Sequence, residues 1–335
     1  MSDVLSSLYP IDPATDQQRD QWILAQRPPR ETVDPLKPHA FLVEEEASSA
    51  GEVVSVTTIF LTNRECPWRC VMCDLWRNTL TTSVPVGAIP AQIEFALAQL
   101  PPAGHLKLYN SGSFFDPRAI PLEDHQAIAE RANGFERLIV ECHPALVGLS
   151  CLSFRDRLKG RFEIAMGLET VHPDILPRLN KRMTLELFSR AAGFLRAHDI
   201  DLRVFILVNP PFMPQDEALH WAERSLDFAF DCGATAATLI PTRGGNGAID
   251  TLAAGGQFSP ARLDTLEAAV SYGLTLKRGR VFADLWDARK ISACPLCFPA
   301  RIGRLHRMNL AQSEKDLPLV HCKNCVAAKS RSCSN

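Results

Sequence analysis

The sequence predicts an α/β protein built on a partial (β/α)6 TIM-like barrel, followed by a C-terminal, cysteine-rich, metal-binding extension. Six short apolar segments rich in β-branched residues alternate with six segments of helical character, which predicts a parallel sheet. These strands look apolar on both faces, as strands covered by helices do. A polar or reactive group follows each strand. In α/β barrels the loops at the carboxyl ends of the strands build the site, so we expect one shared mouth.

The elements follow in a regular order along the chain. Segment 53–61 is β-branched and apolar, and helix 90–100 carries proline in its first turn, where proline is tolerated. Thr184 is a good N-cap for helix 184–198. The predicted strands are 53–61, 105–109, 137–142, 162–168, 202–208 and 235–240, and the predicted helices are 90–100, 122–132, 144–158, 184–198, 216–231 and 260–272.

The chain divides into three predicted parts. Residues 1–50 are rich in Pro, Asp and Glu and show little periodicity, which predicts an extended or partly helical N-terminal arm. Residues 51–275 hold the barrel. Residues 276–335 form the basic extension, which begins with a possible strand at 280–283.

Composition narrows the class of protein. The 335 residues are 46% apolar and 22% charged, which fits a globular protein with a sizeable core. No apolar stretch reaches the roughly 18 residues of a membrane span. The N-terminus lacks a basic region followed by an apolar one, so we expect no secretion signal and no membrane contact. We therefore expect a cytoplasmic protein whose eleven cysteines are reduced.

Charge is unevenly distributed. The net charge is −2, but residues 277–335 contain twelve Lys/Arg and four Asp/Glu, which makes that segment +8 and the rest −10. A basic tail on an acidic body can mark contact with a polyanion such as RNA. The alternative is a solvated surface that happens to be basic.

The most informative run is Cys66-Pro-Trp-Arg-Cys70-Val-Met-Cys73. Three thiolates at C-x3-C-x2-C spacing can hold three irons of a four-iron cluster and leave the fourth iron without a protein ligand. No other Cys and no His lies between His39 and His105. The alternative is structural zinc, which prefers four ligands in two separated pairs and fits this run poorly.

A second cysteine set has the spacing C-x2-C-x24-C-x2-C, which is a strong metal signature. Zinc and an auxiliary iron–sulfur cluster both suit four thiolates, and both stay open. The set consists of Cys294, Cys297, Cys322 and Cys325.

The first cysteine run, placed after the first strand of a β/α barrel, resembles that of the radical S-adenosylmethionine enzymes. The resemblance implies a [4Fe–4S] cluster on Cys66, Cys70 and Cys73. Its open iron chelates S-adenosyl-L-methionine, which is cleaved reductively to a 5′-deoxyadenosyl radical that abstracts hydrogen from substrate. Such chemistry implies an electron donor such as flavodoxin or ferredoxin.

The resemblance also implies cofactor-binding residues. An apolar residue before the third cysteine, here Met72, lies near the adenine. The loop after the second strand, Asn110-Ser111-Gly112-Ser113, stands where the superfamily has a Gly-Gly-Glu-like segment that contacts the methionyl group. The remaining predicted site residues stand at the ends of the next two strands. Glu169 is predicted to contact the cofactor. Glu141 and His143 are predicted to bind the cofactor or to transfer a substrate proton, and the alternative is that they cap the following helix.

The resemblance extends to one group within this superfamily. The segments YNSGSFFDPRAIP, VECHP, GLETVHPDILPRLNK and VNPPF are similar to the archaeosine-forming radical enzymes, a group related to the radical domain of the Elongator catalytic subunit. The similarity spans roughly residues 55–275. It implies a substrate such as the lysine-modified deazaguanine of tRNA, on which the archaeal enzyme acts.

Three functions follow from the sequence. The first is a radical enzyme acting on a modified nucleoside or deazapurine in tRNA. The second is the same chemistry on a small metabolite or peptide, which suits the acidic body. The third is a non-catalytic, zinc-binding nucleic-acid module, with zinc at both cysteine sets.

Overall fold

An eight-stranded sheet, with its strands in chain order, forms the centre of this computed structural model, which describes residues 8–11, 14–292, 294–320 and 322–323. The first two strands pair antiparallel and every later pair is parallel. The strands are β1 (Ala40–Ala47), β2 (Val53–Phe60), β3 (His105–Tyr109), β4 (Arg137–Glu141), β5 (Arg161–Glu169), β6 (Asp201–Val208), β7 (Ala236–Pro241) and β8 (Arg280–Ala283).

Helices follow the parallel strands and cover the outer face of the sheet, and the large apolar core lies between the two layers. The helix Leu185–Ala197 is capped as predicted, because the Thr184 hydroxyl accepts a hydrogen bond from Leu187 N at 3.2 Å. The helices are α1 (Asp16–Gln26), α2 (Ala88–Leu97), α3 (His125–Ala132), α4 (Leu149–Arg155), α5 (Ile175–Arg178), α6 (Leu185–Ala197), α7 (Ala218–Asp231), α8 (Ala248–Ala254), α9 (Leu263–Leu276) and α10 (Phe298–Ala311).

The sheet is curled so strongly that side chains of non-neighbouring strands meet on its concave face. Arg203 on β6 donates to Glu46 on β1 at 3.1 Å. Tyr109 on β3 and Phe205 on β6 contact edge to face, with their ring centroids 6.1 Å apart. A flat sheet would hold these strands too far apart for contact. The predicted partial barrel is therefore confirmed.

Buried charges fill the end of the barrel at which the parallel strands begin. Glu163 is fully buried and accepts hydrogen bonds from Arg203 (2.6 Å), Arg137 (2.9 Å) and Arg280 (3.1 Å). Lys107 donates to Glu46 at 2.6 Å. Each of these charged groups has at least one partner of opposite charge, which compensates part of the cost of its burial. We call this set the floor network: Glu46, Lys107, Arg137, Glu163, Arg203 and Arg280.

Four aromatic rings lie above the floor network, and two of them, Tyr109 and Phe205, stand two residues beyond Lys107 and Arg203 on the same strands. Phe60 contacts Tyr109 (6.1 Å between centroids) and Trp286 (6.0 Å), and Tyr109 contacts Phe205. These contacts join β2, β3, β6 and the segment after β8, so they cross the concave face. Phe60, Tyr109 and Phe205 are half-buried, and Trp286 is 57% exposed. We call Phe60, Tyr109, Phe205 and Trp286 the aromatic layer.

The C-terminal extension packs on the barrel and protects its last strand. Asn309 of α10 exchanges two hydrogen bonds with the backbone of Ala283 (2.8 and 2.9 Å), and Gln312 does the same with Val281 (2.7 and 3.0 Å). These amides pair the free edge of β8, which would otherwise expose backbone donors and acceptors. The predicted strand at 280–283 thus belongs to the sheet, while the predicted division into domains stays a prediction.

The six predicted strands are confirmed to within one residue at each end, and β8 extends the parallel part of the sheet beyond the predicted six. Strand β1 was missed, because its side chains at Glu44 and Glu46 point inward to Lys107 and reverse the usual apolar-inside pattern. The predicted helix 144–158 is broken at Gly148, whose backbone is extended. No helix of the described residues has the length and apolarity to cross a membrane; a cytoplasmic location stays a prediction.

Candidate active site

The first cysteine run forms a loop directly after β2, at the end of the barrel opposite the floor network. Cys66, Cys70 and Cys73 are each partly exposed as residues. Burial of their thiols raises the pKa of each to about 12, so the free thiols are protonated at neutral pH. A metal held by these three sulfur atoms would therefore displace their protons, because metals bind the thiolate form.

Two buried asparagines and a backbone bond hold this loop in place. Asn180 donates to Arg69 O at 2.8 Å, and Asn246 donates to Val71 O (2.8 Å) and Cys73 O (3.1 Å). Val71 N donates to Leu179 O at 3.0 Å. Met72 packs against the apolar cluster around Val71 and Leu179. The loop is thus fixed to segments that follow β5 and β7.

The loop after β3 lies against the cysteine loop. A Cβ added at Gly112 would stand 3.3 Å from Cys66 Cβ, so glycine permits the close approach of the two loops. Glu141 Oε2 accepts hydrogen bonds from Asn110 N (2.8 Å) and Ser111 N (3.1 Å). Ser111 has a φ of 54°, in the left-handed region. A carboxylate from β4 therefore supports a loop whose own sequence lacks an acidic residue at that point.

Glu141 remains able to exchange a proton near neutral pH. Burial raises its pKa to about 7, although the backbone donors of Asn110 and Ser111 act in the opposite direction. A carboxyl with such a pKa suits acid–base work, but its hydrogen bonds also give it a structural role. The predicted proton-handling role of Glu141 stays a prediction.

His143 has both ring nitrogens engaged. Ala145 N donates to Nδ1 at 3.2 Å, which leaves the proton on Nε2, 3.1 Å from Lys181 O. The ring stacks on Trp68 of the cysteine loop, with centroids 3.8 Å apart. Burial lowers the pKa of His143 to about 3. This geometry favours a positioning role, in which His143 supports the cysteine loop, over the predicted proton transfer.

An ion pair lies beside the cysteines at the end of β5. Glu169 and Lys181 are joined by an Oε1–Nζ distance of 2.5 Å, and both side chains are largely buried. Although burial acts against it, the Glu169 carboxylate raises the pKa of Lys181, so the ammonium is charged. A Cβ at position 167 would collide with both partners, at 2.2 and 2.4 Å, so Gly167 makes room for the pair.

Several buried polar atoms at the mouth lack a hydrogen-bond partner within the described part of the chain. They are both amide atoms of Asn110, Oδ1 of Asn209 and Oγ1 of Thr242, in residues that are at most 4% exposed. Buried polar groups are normally paired, so such atoms indicate a polar ligand. Together with three thiols and a charged pair, they fit a cluster and a polar cofactor.

The second cysteine set differs in geometry. Sγ atoms of Cys294, Cys297 and Cys322 lie within 4.8 Å of one another, and the Cys294–Cys322 distance is 3.7 Å. Among the described residues, no other group of Cys, His, Asp or Glu meets that spacing. The first cysteine run therefore does not have the compactness of a single-ion site. Cys325, the predicted fourth ligand, lies outside the described residues.

Segment 301–307, which lies between the two cysteine pairs and contains three arginines, exposes less charge than its sequence indicates. It forms part of α10, where Arg301 pairs with Glu267 at 3.0 Å. Arg304 is buried and donates to Glu314 at 2.9 Å. These two arginines are therefore engaged within the protein, which reduces the surface charge of the extension.

Sequence reasoning missed Lys181, Asn180 and Asn246. Lys181 and Asn180 stand in the segment GLETVHPDILPRLNK that carries the family resemblance, and this was a usable signal. Asn180 and Arg182 both have positive φ, a conformation that ordinary residues adopt only under local constraint. Asn246, by contrast, sits in a glycine-containing loop without any distinguishing pattern.

Comparisons with known proteins support the resemblance. No protein-family model matches the chain. An archaeosine synthase subunit beta from Methanosarcina acetivorans is 25% identical over 294 residues, 82% of this chain and 84% of that protein. The uncharacterized protein MJ0550 from Methanocaldococcus jannaschii is 23% identical over 227 residues; this alignment takes in 63% of the chain and spans 62% of its relative's length.

Among solved structures, the radical S-adenosylmethionine methyltransferase TsrM from Kitasatospora setae aligns with a TM-score of 0.41 at 16% identity. The alignment covers 56% of this chain and 38% of TsrM, which was solved with cobalamin and a [4Fe-4S] cluster bound. The predicted resemblance of the chain to the archaeosine-forming group is confirmed by its sequence similarity to proteins named archaeosine synthase subunit beta.

Proposed function

We propose that this chain is a radical S-adenosylmethionine enzyme with a [4Fe–4S] cluster on Cys66, Cys70 and Cys73. The observation that carries the proposal is the set of three thiols in a pinned loop at the barrel mouth, without the compact spacing of a single-ion site. A four-iron cluster is larger than one ion, so its ligands are held further apart. Once bound, such a cluster with an open iron supplies the electron for reductive cleavage of S-adenosylmethionine.

The protein's own residues bind and orient the cofactor. Lys181 and Glu169 present an ammonium and a carboxylate side by side, which complements the carboxylate and ammonium of an α-amino-acid head group. Gly112 permits close backbone approach beside Cys66. Asn110, Asn209 and Thr242 offer unpaired polar atoms to hydroxyl and amide groups of the ligands.

Removing the Lys181 charge should weaken cofactor binding. A Lys181→Met variant keeps the length and apolar stem but loses the charged donor, and charged hydrogen bonds contribute about 1.5–3 kcal/mol. We expect the Kd for S-adenosylmethionine to rise about 10-fold or more, measured by titration calorimetry and by the change that the cofactor causes in the EPR spectrum of the reduced cluster. Lys159→Met, at an exposed site, is the matched control. An unchanged Kd would contradict the assigned role of Lys181.

The aromatic layer favours the hypothesis that the substrate is planar. Phe60, Tyr109, Phe205 and Trp286 line the concave face below the mouth, and aromatic side chains stack on nucleobases with about 1–3 kcal/mol per base. We therefore favour a modified nucleoside or deazapurine in tRNA, in line with the relative named archaeosine synthase subunit beta. A small metabolite or peptide is the second candidate.

One anaerobic experiment tests the radical chemistry. The protein is reconstituted with iron and sulfide, then incubated with S-adenosylmethionine and dithionite. We expect about four irons per chain at the first cysteine set and formation of 5′-deoxyadenosine, detected by mass spectrometry. Absence of 5′-deoxyadenosine with an intact cluster would overturn the proposal. Zinc at both cysteine sets without iron would instead favour the non-catalytic nucleic-acid module.

Salt-dependent binding distinguishes the substrates. Binding of bulk tRNA should weaken linearly on a log–log scale as salt rises, because phosphate contacts release counterions. Lack of binding at low salt would exclude the tRNA version and favour a small substrate.

For the second cysteine set we propose zinc. A tetrahedral zinc with Zn–S bonds of about 2.3 Å requires sulfur atoms about 3.8 Å apart. The 3.7 Å between Cys294 and Cys322 Sγ matches that edge. Thiolates on different irons of an auxiliary cluster would lie further apart, so the distance favours a single ion.

Metal analysis tests the zinc site. We expect about one zinc per chain, retained after the iron has been removed, and lost in a Cys297→Ser variant that still binds iron at the first set. Cys232→Ser, at a cysteine outside both sets, should keep both metals. Iron near eight per chain with no zinc would show an auxiliary cluster instead.

A further inference from the structure

A cavity of about 380 Å³ opens beside the cysteine loop. Pro67 and Arg69, which lie between Cys66 and Cys70 in the chain, form one wall. None of the strand-end residues of the mouth described above lines it. The cavity therefore borders the cysteine loop on a side other than the barrel mouth. We call it the arginine cavity; it is lined by Arg64, Glu65, Pro67, Arg69, Thr81 and Arg118.

The arginine cavity carries an excess of positive charge. Its carboxylate, Glu65, is already paired with Arg27 (2.7 Å), with Arg30 and with Arg69 (3.2 Å). Arg118 is held by Asp116 at 3.2 Å but is half-exposed, and Arg64 has no ion-pair partner among the residues that the structure describes. The lining holds three guanidinium groups and one carboxylate, and that carboxylate also pairs with Arg27 and Arg30 behind it, so the cavity has an excess of positive charge.

We propose that the arginine cavity docks the acidic face of a small one-electron carrier protein. This inference rests on the proposed function, because the cluster at Cys66, Cys70 and Cys73 needs an electron from outside the chain. A carrier seated here would reach the cluster loop through Pro67 and Arg69 and leave the mouth free for substrate. Opposite charges on two proteins speed their diffusional encounter and fix their mutual orientation. Such charges suit a short-lived complex that transfers an electron.

The electron balance is simple when the carrier is a flavodoxin in its anionic hydroquinone form. The hydroquinone loses one electron and becomes the neutral semiquinone, while the cluster gains that electron and goes from the 2+ to the 1+ state. No proton and no bond to the protein is required.

Charge reversal tests the docking surface. In Arg64→Glu, and in Arg64→Glu combined with Arg118→Gln, the rate of cluster reduction by flavodoxin hydroquinone, followed by stopped flow at low salt, should fall about 10-fold or more. Its salt dependence should flatten. Formation of 5′-deoxyadenosine with dithionite should stay at the wild-type level, because a small reductant needs no docking. Arg118→Gln keeps a hydrogen-bond donor for Asp116, so that loop is preserved.

An Arg190→Glu/Arg224→Glu variant is the control, since both residues are exposed on outer helices. Reduction rates equal to those of the control would overturn the proposal. Loss of tRNA binding with an unchanged flavodoxin rate would also overturn it and assign the cavity to RNA phosphates. Wild-type protein that forms no 5′-deoxyadenosine with dithionite would instead refute the proposed function.

Discussion

A Cys70→Ala variant should lose the iron–sulfur cluster and all formation of 5′-deoxyadenosine. Cys70 is the middle ligand of the run, and its loop is fixed by Asn180 and Asn246, so no other thiol can move in to replace it. We expect iron to fall from about four per chain to background, with loss of the brown chromophore. The fold should survive, because replacement of a single small side chain in a loop costs about 1 kcal/mol.

Cys151→Ala is the matched control for this variant. Cys151 is fully buried in the core, away from the cysteine loop, and its replacement should leave both iron content and 5′-deoxyadenosine formation intact. Retention of four irons and of activity in Cys70→Ala would contradict the assignment of the cluster ligands.

A Glu163→Gln variant should lower the free energy of unfolding by about 3–5 kcal/mol, the cost of leaving buried charges without their partner. Glu163 is fully buried and accepts hydrogen bonds from Arg203, Arg137 and Arg280. Glutamine keeps the shape but removes the anion, so three guanidinium groups repel one another in a dry site. Urea denaturation followed by circular dichroism measures the effect.

Acid should destabilise the protein by protonating the same carboxylate, Glu163. Burial alone would raise the pKa of Glu163, but Arg203, Arg280 and Arg137 lower it to about 2, against 4.5 for the ordinary group. Because the folded pKa is depressed, this stabilisation is fully present above about pH 4.5 and is lost as the pH falls toward 2. The Glu163→Gln variant should therefore lose less stability in this window than the wild type.

Glu94→Gln provides the comparison for both measurements. Glu94 pairs with Arg131 at the surface, with its side chain 61% exposed, and exposed ion pairs contribute about 0–1 kcal/mol. Equal effects of the two substitutions would show that the floor network contributes no more than a surface pair.

The sequence predicted those features that depend on local pattern. The six central strands were predictable because their apolar, β-branched runs are short and evenly spaced. The cysteine run was recognisable because its three thiols are neighbours in the chain. Strand β1 escaped prediction because its inward side chains, Glu44 and Glu46, become favourable only when Lys107 and Arg203 arrive from other strands.

The site was predicted less completely, for the same reason. The role of Lys181 depends on an ion pair with Glu169 and on the missing side chain of Gly167, which no single segment reveals. His143 lies in the loop after β4, but the partners of its two ring nitrogens, Ala145 N and Lys181 O, are set by tertiary structure. A motif indicates which kind of chemistry a site can carry out, whereas the hydrogen-bond partner of each side chain depends on the tertiary structure.

The floor network has a consequence for the route by which ligands reach the barrel interior. Its paired charges, each at most 7% exposed as residues, fill the end of the barrel at which the parallel strands begin, so a ligand of the barrel interior would enter from the opposite end, where the cysteine loop lies. For the proposed reaction, a base seated on the aromatic layer lies deeper than a cofactor held at the cysteine loop. The order of departure would then be the reverse of the order of arrival, with the cofactor or its products leaving before the altered base.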